Sequence, residues 1–212
     1  PSRKLISESM VLYGEIISIF AKINNIPVPY RVQESLKNET VDLKSGNTIM
    51  NNYLLKRTMG KTYYSSKSLK HNSLGLNSYT HSSSPIRRYA DLLIHYQITN
   101  FLNNKQLIDL SAIDKLIYKL NTSSRQNINK YREDQKEWII RWFNLYQNKV
   151  YKCVLLSWIN MNKKIGILYF SDYFFSQICI IKSKDIINAG DEIKMKNDII
   201  KSDEIMSFAQ VK

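Results

Sequence analysis

Cysteine is scarce in this sequence, and the scarcity argues against two kinds of site. The 212 residues contain two cysteines, Cys153 and Cys179, with no CxxC pair and no histidine at ligand spacing. A structural zinc site needs several such ligands close together, and a disulfide framework needs more cysteines. Two isolated cysteines therefore fit a reducing compartment, where they act as small buried hydrophobic residues.

Long apolar runs are also lacking. No stretch approaches the roughly 18 apolar residues of a membrane span, and no signal-peptide pattern opens the chain. The chain begins Pro1-Ser2-Arg3 without Met, which predicts either processing or a missing upstream piece. Its richness in Ile, Asn, Lys and Tyr is typical of an AT-rich genome. We therefore expect a cytoplasmic protein, or an organellar one (plastid or mitochondrial) if an organelle encodes it.

Acidic residues are missing from one long stretch. Between Leu43 and Ala90 there is none, whereas the stretch carries eight bases: Lys44, Lys56, Arg57, Lys61, Lys67, Lys70, Arg87 and Arg88. The whole chain has a formal net charge of +13. This balance favours a polyanionic partner, the alternative being a merely basic surface. The same stretch carries tyrosines that could stack on bases or simply pack: Tyr53, Tyr63, Tyr64 and Tyr79.

The periodicity of the apolar residues predicts an α+β protein in two parts. Helices are expected at Lys4–Ile23, Thr48–Met59, Pro85 to about Leu102, Ala112–Leu120 and Asn127–Leu145. Beyond Val150 the pattern changes to five short strand-like pieces, KCVLLSWI, IGILYF, QICIIKS, DEIKMK and EIMSFAQV. These predict a small barrel of the oligonucleotide-binding type, with an unspecific β-domain as the alternative. We place the boundary between residues 1–149 and 150–212.

The segment YTHSSSPIRRYADLLIHYQ at Tyr79–Gln97 combines hydroxyls, a proline and paired arginines before an apolar run. Ser84 is a good N-cap and Pro85 suits the first helical position, so a helix is expected to begin here. Arginines in its first turn would oppose the helix dipole by about 0.3–1 kcal/mol unless an anion compensates them. A bound phosphate or a side-chain carboxylate could supply that charge.

Asp91 is the carboxylate within reach, three residues after Arg88 and four after Arg87. Its carboxylate can accept two hydrogen bonds from one guanidinium and so fix the direction of that side chain. His95 lies one turn further along the same helix face. The arrangement of Arg87, Asp91 and His95 on one face is consistent with a site that binds a phosphate. The alternative is an ion pair that only stabilises the end of the helix. Nucleophilic catalysis has no support, because Ser82–Ser84 have no evident base beside them.

These residues closely resemble a known signature. YTHSSSPIRRYADLLIHYQI resembles YxHFTSPIRRYxDLxxHRxL of the ribonuclease II / ribonuclease R exoribonuclease family, whose catalytic domain is the RNB domain. Four further segments resemble the family in the same order: LISESM at Leu5–Met10, IPVPYRV at Ile26–Val32, LLKRTMGKTYYS at Leu54–Ser65 and HNSLGL at His71–Leu76. The helix DQKEWIIRWFN before a small barrel is similar to the family's path into an S1-like domain.

The resemblance implies processive 3′→5′ hydrolysis of single-stranded RNA to nucleoside 5′-monophosphates. Arg87 matches the arginine at the scissile phosphate, and Glu8 is the candidate for a glutamate near the 3′-terminal nucleotide. The residues implied in substrate binding are Arg88, Ser84, Ser83, Tyr79 and His81. Asp91 and His95 are expected to orient them.

One feature of the family is missing. Its Mg²⁺ is held by clustered aspartates, whereas Asp42, Asp91, Asp109 and Asp114 are scattered along this sequence. We therefore predict no metal ligands in this chain and an N-terminal portion, as a possible partner, that carries the cluster. The leading hypothesis is the C-terminal half of an RNB domain with its S1-like barrel. The alternatives are a non-catalytic RNA-binding remnant of the family and a structural protein with incidental basic charge.

Overall fold

The structure is a computed structural model that describes residues 2–35, 47–146, 149–197 and 205–211. Asp42 and Lys44, considered above, lie outside these ranges. The elements in chain order are α1 (Ser2–Ile23), β1 (Tyr30–Gln33), α2 (Thr48–Thr58), β2 (Thr62–Ser65), α3 (Tyr89–Leu102), α4 (Leu110–Leu145), β3 (Val150–Asn160), β4 (Ile165–Phe170), β5 (Phe175–Lys182), β6 (Glu192–Asn197) and β7 (Met206–Gln210). The predicted α+β class is confirmed. None of the described helices is long and apolar enough to cross a lipid bilayer.

The chain forms two compact units. The first unit comprises Pro1–Thr40 and Arg57–Ile128, and the second comprises Val41–Lys56 and Asn129–Lys212. The helix α4 contributes residues to each unit. The predicted domain boundary after residue 149 stays a prediction.

The first unit is built around a two-stranded antiparallel pair, β1 and β2, in which Arg31 lies opposite Tyr64. Pro27 and Pro29 prevent α1 from continuing, and the chain turns into β1 immediately after them. The buried apolar residues that pack beside this pair are Ala21, Ile26, Val28, Tyr30, Val32 and Ile94. A neighbouring cluster joins α3 to the first turns of α4 and contains Tyr64, Ala90, Leu93, Ile113 and Ile117.

The helix α1 ends at Ile23 as predicted and begins at Ser2, before the predicted Lys4, but it buries an unexpected face. Its buried residues are small, namely Gly14, Ser18 and Ala21. The large apolar residues that predicted the helix remain mostly exposed, among them Leu5, Leu12, Ile16, Ile19 and Ile23. An apolar stripe this long therefore has no cover within the described residues, which is typical of an interaction surface.

The helix α3 begins at Tyr89, so the predicted start at Pro85 with Ser84 as N-cap is wrong. Residues Pro85–Arg87 form a turn in which the Arg87 and Arg88 amides donate to the Ser84 carbonyl, at 3.3 and 3.1 Å. Arg88 then has extended backbone angles and precedes α3 as its cap residue, without a side-chain capping bond. The two arginines therefore lie before the helix and not in its first turn.

The two helices predicted at Ala112–Leu120 and Asn127–Leu145 are one helix, α4. The gap between the two predicted ranges begins at Asn121, a polar residue that makes a contact within the first unit. The side-chain amide of Asn121 makes two hydrogen bonds with the backbone of Tyr64. Its oxygen accepts from the Tyr64 N–H at 2.8 Å, and its nitrogen donates to the Tyr64 carbonyl at 2.9 Å. This tertiary pairing, made from one side of the helix, explains why a poor helix former lies inside it.

In the second unit, the five predicted strands are confirmed and form a closed barrel in the order β3-β4-β5-β7-β6. All pairs are antiparallel except β5 with β7. The long strand β3 pairs with both β4 and β6, and two bulges between Leu155 and Asn160 bend it. Phe143, at the end of α4, is fully buried in the barrel core, with ring centroids 5.0–5.1 Å from Tyr151, Phe170 and Phe208.

Candidate functional site

The segment that carries the arginines is fixed to the core of the first unit by its own backbone. The Tyr79 carbonyl accepts a hydrogen bond from the Arg31 amide at 2.8 Å, and the Thr80 hydroxyl donates to the Pro29 carbonyl at 2.7 Å. The Thr80 amide donates to the Gly14 carbonyl at 3.3 Å. Strand β1 and helix α1 thus set the direction in which the following residues leave the core.

Asp91 organises the turn around a single oxygen. Its Oδ2 accepts from the Ser84 amide at 2.8 Å and from Arg88 Nε and a terminal nitrogen of Arg88 at 3.2 and 2.8 Å. The Asp91 side chain is fully buried. Of the two arginines that the sequence offered to this carboxylate, the structure selects Arg88. Within the described residues, Asp91 Oδ1 and the Ser82 hydroxyl are buried without a hydrogen-bond partner.

Arg88 is further fixed by Ser83, whose hydroxyl accepts from a terminal nitrogen of the guanidinium at 3.2 Å. A charge-assisted pair with a buried carboxylate and a second acceptor leaves little rotational freedom to this side chain. The residues predicted to bind substrate, Arg88, Ser83 and Ser84, therefore use the contacts above to hold one another.

Arg87 is different, because its side chain is exposed and makes no hydrogen bond or ion pair in the part of the chain that the structure describes. It lies at a pocket of about 490 Å³ that also receives Arg88. The remaining lining residues are Tyr64, Tyr89, Ala90, Leu116, Lys119, Leu120, Ser123, Ser124 and Asn127. The pocket thus combines three cationic side chains with hydroxyl and amide groups, which suits an anionic ligand.

His81 lies in a group of rings. Its ring is edge-on to Tyr79 and Tyr64, with centroids 5.7 and 5.8 Å apart, and its Nδ1 is hydrogen-bonded to the Tyr64 hydroxyl at 2.9 Å. Burial, assisted by the positive charges of Arg88 and Arg31, lowers the pKa of His81 to about 4. The imidazole is therefore neutral at pH 7 and acts through hydrogen bonds and ring contacts.

His95 holds the preceding segment from α3. Its Nε2 is 2.7 Å from the Ser82 carbonyl, and since a carbonyl can only accept, the proton lies on Nε2. Tyr79 is almost fully buried, and burial raises its pKa. Glu8 is exposed on α1 and is not among the residues that line the Arg87 pocket.

Sequence reasoning missed Arg31 and Lys119. The Arg31 guanidinium donates to the Thr62 hydroxyl at 2.6 Å and its carbon lies 4.8 Å from the centroid of the Tyr64 ring. Burial lowers the pKa of Arg31, and Arg88 adds to the effect. Lys119 reaches the pocket from α4. Only the pairing of β1 with β2 and the packing of α4 bring these residues to the site, and no local sequence pattern encodes either.

The site does not fit a metal ion by itself. No group of three or more His, Cys, Asp or Glu side chains that could hold a metal is present among the described residues. Asp91, the buried carboxylate of the site, already has three donors on one oxygen. Because Mg²⁺ needs several oxygen ligands in near-octahedral geometry, these residues alone cannot supply its site.

Comparison with known protein families assigns the first half of the chain. Residues 1–104 match the model of the RNB domain. These residues belong to the RNB domain family. An uncharacterized ribonuclease of Synechocystis is 28% identical over 172 residues, which cover 79% of this chain and 26% of the relative. The chain thus spans about a quarter of the length of that relative.

The fold is shared with larger proteins of solved structure. RNase R of Mycoplasma genitalium in its apo form superposes with a TM-score of 0.84 at 19% identity, covering 99% of this chain and 42% of that one. The same enzyme has also been solved with ribose-methylated single-stranded RNA. Yeast Ssd1, described as a pseudonuclease, superposes with a TM-score of 0.64 at 13% identity, covering 90% of this chain and 28% of that one. The fold of this chain therefore occurs in a ribonuclease and in a pseudonuclease.

Proposed function

We propose that this chain is the C-terminal portion of a ribonuclease II-type exoribonuclease that degrades single-stranded RNA in the 3′→5′ direction. Residues 1–149 would be the C-terminal part of the RNB domain and residues 150–212 the S1-like barrel. The observation that carries the proposal is the contrast between the two arginines: Asp91 and Ser83 hold Arg88, whereas Arg87 extends without a partner among the described residues into a basic pocket.

The chemistry assigned to these residues is electrostatic. Hydrolysis of a phosphodiester builds negative charge on the phosphate oxygens, and a guanidinium aimed at that position stabilises the charge more in the transition state than in the ground state. Arg87 supplies that group. Arg88 is kept rigid by Asp91 and binds the same backbone with little loss of side-chain entropy. Neutral His81, joined to Tyr64, helps to shape the wall beside them.

The described residues hold no group that would bind Mg²⁺, so the ligands of such an ion would come from residues outside those described. We infer that a preceding portion of the polypeptide, or a separate chain, brings the aspartate cluster. The exposed apolar stripe of α1, which includes Leu5, Leu12 and Ile16, is the surface that it would cover. Glu8 lies on this helix and would meet the same portion.

The test is Arg87→Ala in an enzyme that includes the aspartate-bearing portion, assayed under single-turnover conditions. We expect the rate of the chemical step to fall about 10²–10³-fold, the loss typical of one charge-stabilising donor, while RNA affinity falls far less. Arg125→Ala is the matched control, because Arg125 is exposed on α4 and outside the pocket. An unchanged single-turnover rate in the Arg87 variant would exclude this role.

A second candidate function is RNA binding without catalysis. It is favoured by the lack of a metal-binding group among the described residues and by the occurrence of this fold in a pseudonuclease. Incubation of this chain with 3′-labelled RNA and Mg²⁺ should give binding without cleavage under either function. The coding sequence upstream of Pro1 distinguishes the two candidate functions. An in-frame aspartate cluster there supports the enzyme, and a start codon directly before Pro1 supports the binding protein.

The compartment is a further proposal. We infer a cytoplasmic or organellar location from composition, and fractionation of cells with an antibody against this chain would test it. Recovery of the protein in a secreted fraction would contradict this proposal.

A further inference from the structure

The second unit carries an aromatic surface that its own core does not require. We call Trp138, Trp142, Tyr173 and Phe175 the aromatic platform. They line an open groove of about 400 Å³ together with Gln135 and Ile139. Trp142 and Tyr173 meet edge to face, with centroids 4.7 Å apart, so two rings of the platform hold each other in place. The platform thus offers pre-ordered ring faces and edges.

Within the aromatic platform, Trp138 is the residue that does not pack against the barrel core. Trp142, Tyr173 and Phe175 pack partly against the barrel core, whereas Trp138 is not among the residues that pack there. Its side chain remains 67% exposed. Exposing the largest apolar side chain at the mouth of a groove is costly in water, which points to a ligand that covers it.

Two cations lie against the rings. The guanidinium carbon of Arg141 is 5.2 Å from the centroid of Trp138, and Nζ of Lys149 is 5.4 Å from that of Tyr173 and 5.8 Å from that of Tyr146. Glu137 lies 3.9 Å from Arg141, but both side chains are largely exposed, so this surface pair leaves the guanidinium available. Rings flanked by cations on one surface are the arrangement with which proteins bind single strands.

We propose that the aromatic platform stacks bases of single-stranded RNA while Arg141 and Lys149 contact the flanking phosphates. The inference rests on the proposed function only in that the occupant is the same kind of polymer. It adds a second RNA-contacting site, in the second unit, to the Arg87 pocket of the first.

A nucleic acid fits this surface better than an apolar polypeptide would. A protein partner that covered the groove with apolar side chains would also remove water from Arg141 and Lys149 without giving them counter-charges. A single strand presents a base to the rings and a phosphate to the cations at every step, so both kinds of group are satisfied. The groove volume also exceeds that of a single flat ring, which leaves room for stacked bases.

The experiment measures the affinity of the full chain for a short labelled oligouridylate by fluorescence anisotropy at low salt. The variants are Trp138→Ala and Trp138→Phe. Tyr118→Ala serves as the matched control, because Tyr118 is an equally exposed aromatic residue of α4 outside both pockets. Loss of one stacked base weakens binding by about fivefold to about a hundredfold, and we expect this for Trp138→Ala. Trp138→Phe and Tyr118→Ala should bind nearly as the wild type does.

A second oligonucleotide, abasic at every position, separates stacking from charge. It keeps the phosphates and loses the bases, so Trp138→Ala should bind it as well as the wild type does. Equal affinities of the wild type and Trp138→Ala for oligouridylate would overturn the proposal, and a polypeptide would then be the better occupant of the platform. That result leaves the proposed function intact if the chain still binds RNA. A wild-type chain that binds no RNA would overturn both.

Discussion

At the scale of single residues, Asp91 decides how the two neighbouring arginines differ. One buried oxygen takes the Ser84 amide and two nitrogens of Arg88, so Arg88 becomes part of the framework. Arg87, next to it in sequence, has no such partner among the described residues and reaches the pocket. Removing the Asp91 carboxylate would therefore let Arg88 change direction and would leave its positive charge without this partner.

His81 gives a prediction about pH. Its pKa is 6.5 in an unfolded chain and about 4 in the folded one, chiefly because of burial. Between these values the unfolded state binds more protons, so the free energy of unfolding should decrease as the pH falls from 6.5 to 4, by about 3 kcal/mol at most. Above pH 6.5 the contribution is constant. His81→Gln removes the titrating group and should make this decrease smaller.

The measurement is urea unfolding of wild type and His81→Gln, followed by circular dichroism at several pH values. Carboxylates also titrate in this range, but they are common to both proteins, and the difference between the two curves isolates His81. Parallel curves would contradict the lowered pKa.

At the scale of elements, the contact of α1 with the arginine segment depends on a residue without a side chain. A Cβ at Gly14 would lie 2.4 Å from the Thr80 carbonyl oxygen and 2.5 Å from a ring carbon of Tyr79. The helix therefore approaches this segment as closely as its backbone allows. Helix propensity alone would favour alanine at this position by about 1 kcal/mol.

We predict that Gly14→Ala destabilises the protein in spite of this propensity. The backbone oxygen cannot move away cheaply, and overpacking of this kind costs about 1–3 kcal/mol. Ser9→Ala, at an exposed position of the same helix, is the control and should be neutral or slightly stabilising. Denaturant midpoints of both variants test the prediction, and a higher midpoint for Gly14→Ala would refute it.

Elements with strong local sequence signals could be predicted from the sequence. The predictions were wrong where tertiary contacts override those signals. The alternation after Val150 predicted five strands, and the barrel has them. By contrast, Ser84-Pro85 has the composition of a helix start, yet the Asp91 carboxylate takes the Ser84 amide and delays the helix to Tyr89. Asn121 directly follows the predicted helix end at Leu120, yet it lies inside α4, where its side chain pairs with the Tyr64 backbone.

Some residues of the candidate site could likewise be predicted from local sequence, and others could not. Arg87, Arg88 and Asp91 could be found from their spacing in one segment. Arg31 and Lys119 lie far from that segment in sequence and reach the site through strand pairing and helix packing. Their roles depend on contacts between elements, which no window of sequence contains.

At the scale of the whole molecule, the excess of 31 basic over 18 acidic residues should govern how RNA binding responds to salt. Each phosphate contact with a single strand contributes about −0.7 to the slope of log affinity against log salt concentration. We predict a steep slope for the wild type. Arg87→Ala and Lys119→Ala should each make it shallower by about 0.7, because both side chains line the pocket.

The check is a titration of oligouridylate binding over a series of KCl concentrations. Lys22→Ala, an exposed cation of α1 outside the pocket, is the control and should leave the slope unchanged. Equal slopes for all three variants would mean that the positive charge acts as a diffuse field and not through the pocket.

The closed barrel also has a consequence for how the protein is made. β7 is the strand that closes the barrel, pairing in parallel with β5 and antiparallel with β6. Until the ribosome has released Met206–Gln210, β5 and β6 each keep an edge with unpaired backbone groups, which is a template for association with other chains. Non-local strand pairing is slow to form. A nascent chain that stalls before β7 would therefore be an aggregation-prone intermediate, and chaperone demand should fall once Met206–Gln210 have emerged from the ribosome.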